Sequence, residues 1–326
     1  MKTGLETRKK IIAYIVKKSS SLALIILFIV QSMNPFVAQC QVAINDRLID
    51  SLIRVDWIND QTILVSFGSE AITAMKTERG IVVIDAGMSS GLTSRYRKII
   101  EKEFESDDFR YVINSHGHHD HYRGNIVFKE VRVVAHENAL EEISVQWKNQ
   151  KKVADRLAMI AADYEKQMKE LQPGSKEWIE LFTQKTRCSF ASKDAADSLP
   201  VKQPDLTFTD SLNLDMGDVT LELIHLGRCH SNSDLLICVP ELHLLFTGDL
   251  FFKYGRPSMN EDLQPDLEKW QRSLAWLEKR DASIDKIIGG HGQILSRDDL
   301  ESFMRKIGDK VQSQDKNRIG IEINQP

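Results

Sequence analysis

Four of this chain's nine histidines fall within six consecutive positions, in the stretch Ser115-His116-Gly117-His118-His119-Asp120-His121. The apolar run Tyr111-Val112-Ile113 comes just before it and predicts a strand that ends there and delivers these side chains to a loop. Imidazole nitrogens and a carboxylate oxygen are borderline-to-hard donors, which suit zinc or iron rather than calcium. A solvated polar turn has a similar composition, so the rest of the chain must decide between the two.

Three further donors repeat the arrangement. His230 lies in Leu226-Gly227-Arg228-Cys229-His230-Ser231-Asn232-Ser233-Asp234, between two apolar runs. Asp249 follows Leu244-Leu245-Phe246 in the turn Thr247-Gly248-Asp249, and His291 follows Ile287-Ile288 in Gly289-Gly290-His291-Gly292. Each donor comes after a predicted strand, beside glycines that let the backbone approach closely. A shared metal cleft at one edge of a β-sandwich requires this recurrence.

The intervening chain is consistent with such a sandwich. From Arg47 to Asp85 the pattern is short β runs with turn signals, clearest at 63–65, 71–75 and 81–84, with a hairpin break at Gly80. An amphipathic helix is expected from about Ser90 to Glu105 through Tyr96, Ile99, Ile100 and Phe104. Val131 to Ala135 reads as a buried strand. Glu141 to Leu171 reads as one long helix, ended by Pro173-Gly174, with Ser175 capping a shorter helix through Trp178, Leu181 and Phe182. We expect this helical insertion, about 141–205, to lie over or beside the metal loop as a substrate lid or as plain surface helices. The β pattern then resumes at Val219, Leu221 and Leu223, with a hairpin around Pro240-Glu241 and a strand at Ile284 to Ile288. Two more helices are expected, one beginning near Pro265 and one starting at the Ser296/Asp299 capping box.

A net charge of −4 argues against a nucleic-acid binder. Cys40, Cys188, Cys229 and Cys238 form no CxxC pair, which argues against a cysteine-built zinc site. Residues 1–40 read as a secretory signal. Lys2, Arg8, Lys9, Lys10, Lys17 and Lys18 precede the apolar core Leu22 to Val30, and small residues follow, with Ala38 and Cys40 suited to cleavage after Cys40. The core is shorter than the roughly 20 residues of a transmembrane span. Cys40 also allows a lipid anchor, although Gln39 departs from the small residue usual before one. The expectation is export to a periplasm-like space, with residues 41–326 as the mature domain.

The series His116-x-His118-x-Asp120-His121, His230, Gly248-Asp249 and Gly290-His291-Gly292, with Asp85 ending its own strand, resembles the metallo-β-lactamase superfamily in order over about residues 47 to 310. The resemblance implies an α+β fold, a four-layer αββα sandwich, with a dinuclear site at the sheet edge. It implies His116, His118 and His230 as ligands of a first ion, and Asp120, His121 and His291 as ligands of a second. Asp249 would bridge the two. It further implies a zinc-dependent hydrolase, with iron or manganese as alternative metals. The nucleophile would be a hydroxide held between two ions, with Asp120 also orienting it and taking a proton. Asp85 is expected to hold a ligand histidine by hydrogen bonding.

His119 is read as a spacer, His136 and His225 as packing or hydrogen-bonding residues, His243 as a strand surface residue and Cys229 as packing. Phe252, Lys253, Tyr254 and Arg256 are candidates to meet substrate. The bond cleaved is expected to be an ester, thioester, lactone or amide of a small molecule. A true β-lactamase, an iron-dependent oxidoreductase and a non-catalytic metal-binding protein are the alternatives. The sequence indicates neither the substrate nor the oligomeric state.

Overall fold

The structure is a computed structural model that describes residues 46–251, 269–273, 275, 284–296 and 298–309. Residues 1–40, the positions 252–256 and most of the helix expected from Pro265 lie outside the described residues. The chain divides into a unit Met1–Leu52 and a unit Ile53–Pro326. In the first, residues 46–52 form a helix, α1, where short β runs were expected.

The second unit holds two sheets. In sequence order, β1 (Arg54–Asn59), β2 (Thr62–Phe67), β3 (Glu70–Thr77) and β4 (Gly80–Ile84) form an antiparallel meander. Three parallel strands extend it: β5 (Phe109–Ile113), β6 (Arg132–His136) and β7 (Leu206–Phe208). The second sheet runs β13-β12-β11-β10-β9-β8. Its strands are β8 (Ser211–Asp215), β9 (Thr220–Ile224), β10 (Leu236–Val239), β11 (Leu244–Gly248), β12 (Lys286–Gly289) and β13 (Ile294–Leu295). All its pairs are antiparallel except β11 with β12.

The two-residue period of a strand assigns each side chain to a layer. Ile237 and Phe246 point between the sheets, where they join Leu64, Met75, Val82, Ile113 and Val134. Their neighbours Leu236, Cys238 and Leu245 point outward onto Trp270 and onto Leu300, Phe303 and Ile307 of a helix over 298–309. That helix begins at the expected reciprocal cap, with Ser296 N–H donating to Asp299 Oδ2 (2.9 Å) and Asp299 N–H to Ser296 Oγ (3.2 Å). Helix α2 (Ser90–Phe104) buries Leu92, Tyr96, Ile100 and Phe104, a four-residue repeat on one face, and is capped by Ser89. The order is helix, sheet, sheet, helix, the expected αββα sandwich.

The helical segment between β6 and β7 differs in detail from expectation. The long helix is two: α4 (Ala139–Gln146) and α5 (Gln150–Met168), after the single turn α3 (His119–Tyr122). The break is chemical. The Asn149 side chain accepts from Lys152 N–H (3.0 Å) and starts a new helix, while Trp147 is held under the Arg123 guanidinium, 3.4 Å from its ring centroid. Ser175 caps as expected, accepting from Trp178 N–H (3.2 Å), but the helix it opens, α6 (Lys176–Ala196), runs far past Phe182.

Candidate metal centre

Every donor sits just past a strand end. β5 delivers His116 to His121, the loop between β9 and β10 carries His230, β11 ends at Gly248 before Asp249, and β12 ends at Gly289 before His291. Parallel pairing of β11 with β12 sets the last two side by side, and Gly290 N–H donates to Gly248 O (2.8 Å). Position 290 must be glycine for steric reasons: a Cβ there would lie 2.5 Å from Asp249 Oδ1 and 2.9 Å from His121 Cε1.

The seven donors form three overlapping groups, His116/His118/His230, His116/His121/Asp249 and Asp120/His121/His291, with the donor atoms of each group within 4.8 Å of one another. Asp249 stands between the outer two. Its Oδ2 is 3.6 Å from His230 Nε2, 3.9 Å from His116 Nε2 and 3.3 Å from His291 Nε2, and its Oδ1 is 3.6 Å from His121 Nε2. Asp120 lies 3.9 Å from both His121 Nε2 and His291 Nε2.

Three of these polar atoms, His116 Nε2, His121 Nε2 and Asp249 Oδ1, are fully buried without a hydrogen-bond partner. Each such atom costs about 1–3 kcal/mol unless something satisfies it. Imidazole lone pairs converging on a carboxylate oxygen fit a divalent cation, so the residues present fit the metal that the donor pattern implies.

The electrostatics divide the donors. Burial, reinforced by neighbouring imidazoles, holds His116 well below the usual imidazole pKa. Burial and then His230 bring His118 down to about 3. Both are therefore neutral donors at pH 7. Burial also depresses His121 and His291, but the surrounding carboxylates outweigh it and raise both, with Asp85 the strongest for His121 and Asp249 for His291. Asp120 and Asp249 are the complement: burial pushes each up, and the histidines, His121 first, pull each below the ordinary carboxylate range.

The surrounding residues orient the donors. Asp85 Oδ2 pairs with His121 Nδ1 (2.8 Å) and accepts from Ser115 Oγ (2.9 Å), while Oδ1 accepts from Ser115 N–H (2.8 Å). Asp85 adopts φ 60°, a left-handed conformation that costs a non-glycine residue energy. His291 Nδ1 donates to the Ser69 carbonyl (2.9 Å), which leaves Nε2 facing the carboxylates.

Sequence reasoning missed Glu142 on α4. Its Oε1 accepts from Asn232 N–H (2.7 Å) and its Oε2 from Ser233 Oγ, while Ser233 Oγ accepts from Gly117 N–H (2.9 Å). One carboxylate thus fastens the His116 loop to the His230 loop, and a Cβ at Gly117 would collide with it. No pattern in the sequence signals this role, because it depends on where α4 packs.

The other residues named from sequence take quieter places. His119 joins none of the donor groups, and its ring is partly exposed. His136 and His225 stack at 3.7 Å. Each donates to a backbone carbonyl, His136 Nε2 to Thr209 (2.7 Å) and His225 Nδ1 to Asp234 (2.8 Å). Cys229 packs in the outer layer with Trp270. His243 is not on a strand: it turns the β10–β11 hairpin at φ 56°.

Comparison with known proteins agrees with this picture. The family described as "Metallo-beta-lactamase superfamily" matches residues 66–291. A metallo-beta-lactamase type 2 from Bacillus cereus is 21% identical over 245 residues, covering 74% of this chain and 75% of its own. Among solved structures, a metallo-beta-lactamase from Pontibacter korlensis superposes with a TM-score of 0.53 at 16% identity, covering 78% of this chain and 99% of its own. The FIM-1 metallo-beta-lactamase from Pseudomonas aeruginosa, in a mono-zinc form, does so at 0.52 and 13%, covering 79% and 96%.

Proposed function

Because the chain belongs to the metallo-beta-lactamase superfamily, we propose that it is a zinc-dependent hydrolase of small molecules bearing an ester, thioester, lactone or amide-type bond. The observation that carries this reading is the Asp249 carboxylate set between two histidine groups, with three buried polar atoms left to satisfy. His116, His118 and His230 would hold one cation and Asp120, His121 and His291 a second, with Asp249 between them. Two divalent cations there would make a water molecule acidic and polarise an acyl carbonyl.

The chain's own residues supply the rest. Asp85 fixes the His121 ring through Nδ1, so that Nε2 faces Asp249. Asp120, held ionised by its histidine neighbours, accepts a hydrogen bond from the attacking water and can receive its proton on an Oδ atom. The Ser69 carbonyl keeps His291 in the tautomer that presents Nε2.

Elemental analysis of protein purified without added metal is expected to give two zinc ions per chain, and two iron ions instead would overturn the zinc assignment. The β-lactamase names of the relatives favour a second reading, that β-lactams are the substrate. Nitrocefin turnover by the purified protein decides it, and clear hydrolysis would displace the non-lactam reading. We also propose that residues 1–40 direct export. Cell fractionation is expected to find a shortened chain outside the cytoplasm.

A further inference from the structure

Between helices α4, α5 and α6 and the loop at Met88 lies a cleft of about 500 Å³. At one end the cleft is lined by His119 and Asp120, and so opens onto the metal centre. Its walls are Met88, Trp147, Val153, Leu157, Ile160 and Tyr164, with the Gln146, Gln184, Arg156 and Arg187 side chains among them. The volume is that of an ordinary small-molecule pocket.

The walls are held in place. Trp147 is stacked beneath Arg123, at 3.4 Å. Arg187 is buried against Glu70 (Nε to Oε2, 3.2 Å) and donates to Ser69 Oγ (2.6 Å). Asp194 of α6 accepts from Ser90 N–H and Oγ at 2.6 and 2.7 Å, which ties the hairpin to the start of α2. Two long antiparallel helices anchored this firmly could have packed shut, since closing the gap would remove apolar surface from water. Instead they keep apolar side chains around a space that ends at Asp120.

We propose that this cleft receives the non-reacting arm of the substrate, and that the arm is an apolar acyl chain of medium length. The substrate class is then acyl esters, thioesters, lactones or amides whose acyl carbon reaches the donor edge while the chain lies along Leu157 and Ile160. This rests on the hydrolase reading for the reacting end only. The arm site itself is a matter of binding.

The test is an equilibrium ladder on the metal-loaded protein: acetate, butanoate, hexanoate and octanoate titrated by calorimetry. The carboxylate is common to all four, so the increment reports the chain alone. Affinity is expected to rise by up to about fourfold per methylene buried. Ile160→Asp is expected to flatten the ladder, as is Val153→Asn should the first variant fold poorly. Met159→Asp, which changes a side chain exposed on the same helix outside the cleft, should leave it steep. Equal affinity for acetate and octanoate overturns the proposal, and so does a ladder as steep in folded Ile160→Asp as in the parent. A steep ladder in a protein that hydrolyses no acyl substrate supports the arm site and sinks the hydrolase reading. A flat ladder with turnover does the reverse.

Discussion

The donor edge and the α5–α6 hairpin lie next to each other and are built on opposite principles. At the donor edge the donors lie in the loops and the short turn α3 that follow strand ends, so strand register brings residues 116 to 291 together, with Glu142 fastening two of the loops. In the hairpin, strands contribute a single anchor, Glu70 at the start of β3, which holds Arg187. The cleft owes its shape to caps, one buried ion pair and the way two helices lean on Met88. The donor edge is crowded with charge, whereas the hairpin cleft is walled largely by apolar side chains. On the proposed reading, the difference separates what would perform the reaction from what would select the reactant.

The comparison predicts that damage at the two places will look different. The largest effect is expected from Asp249→Asn, which removes a charge shared by both donor groups. Metal content should fall below two per chain and turnover should be lost, with circular dichroism little changed. A variant retaining both ions would break the comparison at its centre.

Next, Arg187→Met leaves Glu70 buried without its ion-pair partner. A loss of about 3–5 kcal/mol is expected in denaturant unfolding, while metal stoichiometry in the folded fraction stays at two. Asp85→Asn should weaken metal binding roughly 10- to 100-fold, read with a competing chelator, through a freed His121 ring.

The pH dependence of binding sharpens the contrast further. His121 and His291 are raised above the ordinary imidazole pKa in the metal-free chain, so they carry protons that a cation must displace. Metal affinity should therefore fall as pH falls. Calorimetry in buffers of differing ionisation enthalpy should show proton release that disappears once pH exceeds both raised values. The smallest effect is at the hairpin: Ser175→Ala removes the α6 cap and should cost about 1 kcal/mol in thermal unfolding, without effect on metal content.

The contrast also explains what could be read from sequence. His116, Asp249 and His291 were legible because each follows an apolar run, and a strand end is a local signal. The layers were not written in any one strand: Leu236, Ile237 and Cys238 are all apolar, and only the structure sends Ile237 between the sheets and the other two outward. Glu142 was not legible, nor was the break between α4 and α5. One depends on where a helix docks against Asn232 and Ser233, and the other on Trp147 meeting Arg123. The cleft itself leaves no trace in the sequence, because empty space between two helices is a property of their packing angle. His243 was misread because a left-handed turn residue inside an apolar hairpin looks like a strand position.

The seam between β11 and β12 has a consequence for the order in which the molecule comes into being. A chain growing from its N-terminus exposes His116, His118, Asp120 and His121 well over a hundred residues before His291 is made. Until β12 docks in parallel on β11, His291 has neither Asp249 nor the Ser69 carbonyl to hold it. Such long-range pairing is among the slower steps of folding. Until then the Asp120/His121/His291 group lacks its third member, so the donor edge is complete only in molecules that have finished the second sheet.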